Sequence, residues 1–143
     1  MLHATISADV IASSSLYAEE IDRLTQRIYF LFEKIEEYQL KNNRQRVMCR
    51  LVSGDLIECL VYEPQDSLRI SLILKAGIKS FSLDKRNAVS FNEKYRKLFE
   101  TYGIRVAVGI GEMDLELISK DILKGDAINR SGRMIAEQKT SNK

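Results

Sequence analysis

Hydrophobic and polar positions change period several times along the chain, and each change predicts an element. From His3 to Val10 the pattern alternates. Ile6, Ala8 and Val10 fall on one face and Thr5, Ser7 and Asp9 on the other, which is the period-2 signature of a strand. A serine run, Ser13 to Ser15, follows, with Ser15 placed to cap a helix and Glu19 and Glu20 suited to its first turn. Ile21, Leu24, Ile28, Leu31, Ile35 and Tyr38 then recur at spacings of three and four, predicting a long amphipathic helix that ends near residues 41–43. Two β-rich runs, RVMCRLV at 46–52 and LIECLVY at 56–62, flank Ser53-Gly54-Asp55 and read as a hairpin.

Pro64 sits where the next helix should begin, with Leu68, Leu72, Ala76 and Phe81 as its expected core stripe. Residues 82–90 read as a loop, and FNEKYRKLFETYG at 91–103 as a short helix closed by Gly103. IRVAVGIG at 104–111 is apolar throughout, so a central strand is expected there. Residues 115–122 fit neither period. A last helix opens at Gly125 and could bury Ala127, Ile128, Ser131, Met134 and Ile135.

Without the additional helices the order is β-α-β-β-α-β. That predicts an α+β, ferredoxin-like domain, with helices on one face of a four-stranded antiparallel sheet and the first and third strands at its centre. The domain is expected over residues 1–136. A polar tail at 137–143 is expected to pack poorly and could be the edge of a longer chain.

Composition narrows the function classes. Hydrophobic residues make up 45% and charged residues 29% of 143 positions, and the net charge is +2, too small to argue for nucleic acid or an anionic membrane. No apolar run approaches the roughly 20 residues that span a bilayer, and the N-terminus lacks signal-peptide character, so a cytoplasmic location is expected. Cys49 and Cys59 lie symmetrically about Gly54 and should face each other as reduced thiols across the hairpin. With His3 the only histidine, a soft-metal site is not expected.

The candidate chemistry lies elsewhere. Asp9 ends the first strand and Asp55 sits at the hairpin tip of an adjacent strand, so the two carboxylates could share a hard divalent cation such as Mg2+ or Mn2+. After Asp9 the backbone of Ile11, Ala12, Ser13 and Ser14 turns towards a helix N-terminus, an arrangement suited to phosphate. Asn129 and Arg133 stand one turn apart on the last helix, either as a solvated stripe or as a fork of donors for an anion.

Four stretches, taken in order, resemble the catalytic domain of class III nucleotide cyclases: ISADVIASSSL at 6–16, VSGDLIE at 52–58, GIRVAVGIGE at 103–112 and GDAINRSGRMI at 125–135. SADVIASSSL and the GIGE are also similar to the SatD family of small bacterial proteins. The cyclase resemblance implies metal positions at Asp9 and Asp55 and phosphate contacts from residues 11–14. It further implies that Asn129 and Arg133 reach a purine nucleotide triphosphate across a head-to-tail homodimer. The chain departs from that family at Ala12, which replaces a glycine, and at Leu51, which replaces a base-selecting lysine with only Arg50 beside it; Asp121 lies near the other base-reading position. The alternative implied by the SatD resemblance is a regulatory or dimerisation module without catalysis, joined to a DNA-binding segment outside these residues.

Overall fold

A computed structural model describes residues 1–11, 17–52, 54–81 and 102–141. The loop and helix expected at 82–90 and 91–103 fall almost wholly outside these residues, as do Ala12, Ser13, Ser14 and the proposed cap Ser15. The elements are β1 (His3–Val10), α1 (Ala18–Lys41), β2 (Val47–Val52), β3 (Leu56–Val61), α2 (Ser67–Lys79), β4 (Ile104–Gly111) and α3 (Asp126–Ser141). Short 3-10 turns at Pro64–Asp66 and Leu115–Lys120 precede α2 and α3.

The sheet order is β2-β3-β1-β4, with every neighbouring pair antiparallel. This is the expected ferredoxin-like arrangement, with β1 and β3 central. Contrary to expectation, the apolar strand β4 is an edge. Its apolar character comes from coverage on both faces rather than from a central place, because α2 packs on one side and α3 on the other.

The register fixes which residues share a face. Ala4, Ile6 and Ala8 pair with Val61, Cys59 and Ile57, and these six join Leu24, Ile28 and Ile35 of α1 and Ile70, Leu74 and Ile78 of α2 in one buried core. The α1 stripe therefore follows its predicted periodicity, with Ile21 only partly buried and Tyr38 exposed at the margins. Of the predicted α2 stripe, Phe81 joins the core from just past the helix, but the positions within the helix do not. Leu68 and Leu72 are exposed, and Ser67, Ile70, Ser71, Leu74 and Ile78 face inward. SLRISLILKAGIK carries two apolar rows, and the β-branched row at 70 and 78, with Leu74 between, is the one that meets the sheet.

Helix α1 starts at Ala18 behind Tyr17, whose side chain makes no cap bond. Glu19 and Glu20 stand in its first turn as expected, and Glu20 is buried. The Tyr102 hydroxyl donates to Glu20, and Arg23 lies 3.5 Å from the same carboxylate. At the hairpin, Cys49 and Cys59 are opposite each other in register, and the Cys59 thiol donates to Cys49 at 3.1 Å. That hydrogen bond and burial push the Cys59 thiol well above its ordinary range.

The second sheet face is the larger surprise. Helices were expected on one face only, yet α3 lies across the other face over β1 and β4. Ala127, Ser131 and Ile135 form its buried seam, while Ile128 is half-buried and Met134 exposed. Ser131 Oγ lies 2.9 Å from Thr5 Oγ1 and 2.7 Å from Ser7 Oγ, a buried hydroxyl cluster that ties helix to strand. The helix approaches so closely that a Cβ on Gly109 would sit 2.2 Å from the Ala127 carbonyl oxygen. The segment expected to be a loose polar tail continues α3 to Ser141, with Gln138 donating to the Val106 carbonyl at 3.3 Å.

Two outcomes follow from this packing. Gly109→Ala should destabilise the domain by at least ~2 kcal/mol, because the obstruction is helix backbone, which cannot turn aside as a side chain can; urea titration by circular dichroism measures it. Burial first, and then the Glu20 hydrogen bond, push the Tyr102 hydroxyl upward from its ordinary value, so the folded chain holds that proton more tightly than the unfolded chain. This contribution is complete below about pH 10 and is lost as pH rises past it. Thermal melts between pH 8 and 11 should show a steeper alkaline decline for the natural chain than for Tyr102→Phe.

Candidate functional site

The strand ends bring three charged residues, Asp9, Asp55 and Arg105, to one edge of the domain. β1 finishes at Asp9 and Val10, β3 begins just after the hairpin tip Gly54-Asp55, and β4 begins at Ile104 and Arg105. Gly54 takes a left-handed φ of 84°, the conformation that lets the chain reverse tightly there. The Val10 N–H donates to the Asp55 carbonyl at 3.2 Å, and the Ile11 N–H donates to the Gly103 carbonyl at 2.8 Å. The exit from β1 is thus held to both neighbouring chain segments. Ile11 was expected to offer its N–H to phosphate; that N–H has the Gly103 carbonyl as its partner, and Ala12, Ser13 and Ser14 lie outside the described residues.

Asp9 is almost fully buried, at 2% exposure, and lies on the sheet face covered by α3. Directly opposite it in register is Arg105, whose Nη1 is 3.1 Å from Asp9 Oδ2. From above, Lys139 of α3 brings Nζ to 3.6 Å from the same oxygen. Asp9 Oδ1 is buried with no hydrogen-bond partner among the described residues, and so is Arg105 Nε. Two cations therefore share one carboxylate oxygen while the other is bare. A buried acceptor left unsatisfied is costly, and such an atom commonly marks a position where a ligand binds.

Asp55 stands opposite Val10, one position beyond Asp9 in the β1–β3 register, and is half-buried in the turn. Among the described residues no three His, Cys, Asp or Glu side chains form a metal-binding cluster. By register Asp55 takes the ladder face of Val10 rather than that of Asp9, so the bare donor that a cation could meet at this edge is Asp9 Oδ1, with Asp55 on the adjoining turn. Such a set suits magnesium or manganese, which bind through one or two carboxylates and retain waters or phosphate oxygens. The bare Oδ1 is the observation that fits the group.

Asn129 and Arg133 are both exposed and do not join this cluster. Each lies two residues beyond a member of the seam Ala127–Ser131, so at about 100° per residue both stand on the side of α3 turned from the sheet. Beside Arg133 runs a shallow groove of about 380 Å³ lined also by Ala136, Glu137 and Thr140. A second groove, of about 370 Å³, lies between α3 and β3 and is lined by Ser7, Leu56, Glu58, Ile128, Ile135 and Lys139, among others. Arg50 borders this region, paired to Glu58 at 2.8 Å and donating to the carbonyl of Asp121, which has a left-handed φ of 58°. Arg50 and Leu51 point to opposite faces, as strand alternation predicts.

Sequence reasoning missed Arg105 and Lys139. Arg105 left a signal, being the one charged residue in IRVAVGIG. Lys139 left none, because it looked like part of a solvated tail.

Comparison with known folds bears directly on this arrangement. The active GGEEF domain of a diguanylate cyclase from Vibrio cholerae aligns with 99% of this chain and 78% of its own, at a TM-score of 0.61 and 11% identity. An adenylate/guanylate cyclase/hydrolase from Silicibacter pomeroyi aligns with 95% of this chain and 69% of its own, at 0.57 and 17% identity. The fold is that of nucleotide cyclase domains. The diguanylate cyclase SiaD from Pseudomonas aeruginosa, solved with its activator SiaC, aligns over 98% of this chain but only 47% of its own, at 0.51 and 13% identity. Neither models of known protein families nor curated protein sequences give a match. No helix among the described residues of this cyclase-like domain is long and apolar enough to cross a membrane.

The ion cluster makes Asp9 structurally important whatever binds there. Asp9→Ala would leave Arg105 mostly buried and unpaired, and should lower stability by about 3 kcal/mol in chemical denaturation. Lys139→Ala, which removes a nearly half-exposed partner, should lower it by less than ~1 kcal/mol.

Proposed function

We propose that this cyclase-like domain binds a divalent cation and a purine nucleotide triphosphate, and that it does so as a twofold homodimer. The observation that carries the reading is the bare, buried Oδ1 of Asp9 at the end of β1, beside the hairpin tip that bears Asp55. Asp9 and Asp55 would hold Mg2+ or Mn2+, which when bound offsets the charge of a triphosphate and polarises its phosphoryl oxygens. Residues 12–14 would supply backbone donors to the phosphates.

Asn129 and Arg133 support the dimeric part of the proposal. Since α3 turns them from its own sheet, they can serve a triphosphate only if it is held by another protomer. A twofold pair gives two equivalent sites, each built from one protomer's Asp9 end and its partner's α3. The Arg133 guanidinium and the Asn129 amide would then meet charge that builds up on the phosphates. Helix α3 covers this sheet face over β1 and β4, which leaves its β2–β3 part, around Met48, Arg50 and Val52, for a dimer.

A second reading is a non-catalytic regulatory or dimerisation module of the SatD-like kind. The observation in its favour is that Arg105 and Lys139 already neutralise Asp9. A thermal-shift screen of nucleotides with Mg2+ or Mn2+ separates the two, because a ligand bound only by the native state raises the melting temperature. The cyclase-like reading expects stabilisation by a purine triphosphate that depends on the metal. Arg133→Ala should reduce triphosphate affinity about tenfold or more while leaving the ligand-free melting temperature within ~1 °C. Sedimentation as a monomer at high concentration with both ligands present would remove the composite site and leave the Asn–Arg pair as a solvated stripe.

A further inference from the structure

We infer that Lys139 is a displaceable stand-in for the divalent cation, its ammonium leaving Asp9 when the metal binds there. This rests on the metal-binding reading above and assigns a role to a residue that neither motif nor fold singles out.

The two cations on Asp9 Oδ2 are not equivalent. Arg105 approaches at 3.1 Å, is 17% exposed, and is fixed by its place opposite Asp9 in the β1–β4 ladder. Lys139 sits at 3.6 Å, is 45% exposed, and hangs from the last turn of α3 by a flexible four-carbon stem. Arg105 is therefore the anchor that orients the carboxylate, and Lys139 the partner that can leave. The ammonium is a compact, strongly hydrated point charge, the side chain best suited to exchanging a carboxylate for water.

Charge accounting gives the direction. Asp9 contributes −1 and Arg105 and Lys139 +1 each, so these three side chains carry +1 beside the bare Oδ1, and counting Asp55 on the adjoining turn brings the site only to neutral. A divalent ion approaching Oδ1 is repelled by both cations, and only Lys139 can withdraw. Space for that movement is present, because Lys139 also lines the groove of about 370 Å³ between α3 and β3. Once released, the same ammonium is free to pair with an anion, and a metal-bound triphosphate supplies one. A single swing would thus exchange an internal salt bridge for contact with the ligand, while Ile135 and Gln138 keep the helix on the sheet.

Titration of Mn2+ into the full chain, followed by loss of the free-ion electron paramagnetic resonance signal, tests this without any activity. Lys139→Met should bind Mn2+ roughly fivefold more tightly than the natural chain, the upper scale for a partly exposed ion pair that no longer has to be broken. Lys139→Arg, which keeps the charge, should stay within about twofold of it. Asp9→Asn should abolish binding in every background. If Lys139→Met and the natural chain bind equally while Asp9→Asn abolishes binding, the displacement is wrong and the metal reading survives. If neither chain binds, or if binding persists in Asp9→Asn, both fail. Circular dichroism of each variant confirms that the comparison is between folded chains.

Discussion

Burying Thr5, Ser7 and Asp9 is unfavourable unless each polar group finds a partner, and β1 buries all three on one face. The other face of this central strand is filled by apolar contacts with α1 and α2, so the polar face needs an element of its own. Helix α3 meets that need with Ser131 for the two hydroxyls and Lys139 for the carboxylate. A serine can reach strand side chains only if the helix axis lies close to the sheet. That proximity is possible because β4 presents Gly109 and Gly111 under α3, where added Cβ atoms would meet helix backbone at 2.2 and 3.0 Å. The small residues of IRVAVGIG and the Ala127–Ser131 seam are thus two halves of one packing solution.

Much of this fold was legible because two periodicities are strong. The alternation of β1, the three-and-four spacing of α1 and the symmetry of the hairpin about Gly54 each translate directly into structure, and together they fix the strand order. What failed did so where two elements compete for the same apolar signal. In α2, two apolar rows run along one helix, and only contact with the sheet selects Ile70, Leu74 and Ile78 over Leu68 and Leu72. In β4, burial on both faces by helices produces the same composition as a central position. In α3, exposed Gln and Lys residues conceal the fact that Gln138 and Lys139 dock through their polar tips. A long polar side chain looks the same in sequence whether its tip meets water or a buried acceptor.

The candidate site shows the same division. Asp9 and Asp55 were nominated from their places at strand end and hairpin tip, and both occur at the same edge of the domain. Their electrostatic setting was not foreseen, because it comes from residues almost a hundred or more positions away: Arg105 through strand pairing and Lys139 through helix docking. Motif reading identifies donors for a cation. Only tertiary structure shows that protein cations already occupy one oxygen of the principal donor.

That occupation also bears on how such a domain could lose or keep chemistry. A carboxylate buried at 2% exposure must be neutralised in the ligand-free chain, by protonation, by a bound ion or by neighbouring side chains. Arg105 alone can hold one oxygen, and its geometric pairing with Asp9 keeps the strand ends together without any metal. Lys139 adds little stability from its exposed position, yet it shifts the charge of the cluster from neutral to positive. Lys139 shares α3 with Asn129 and Arg133, so the helix has an inner side that meets Asp9 and an outer side turned from the sheet. The hydroxyl cluster and the Asp9 contact that seat α3 on β1 therefore also determine where Asn129 and Arg133 stand, and in the proposed composite site they would set how that pair meets a second protomer.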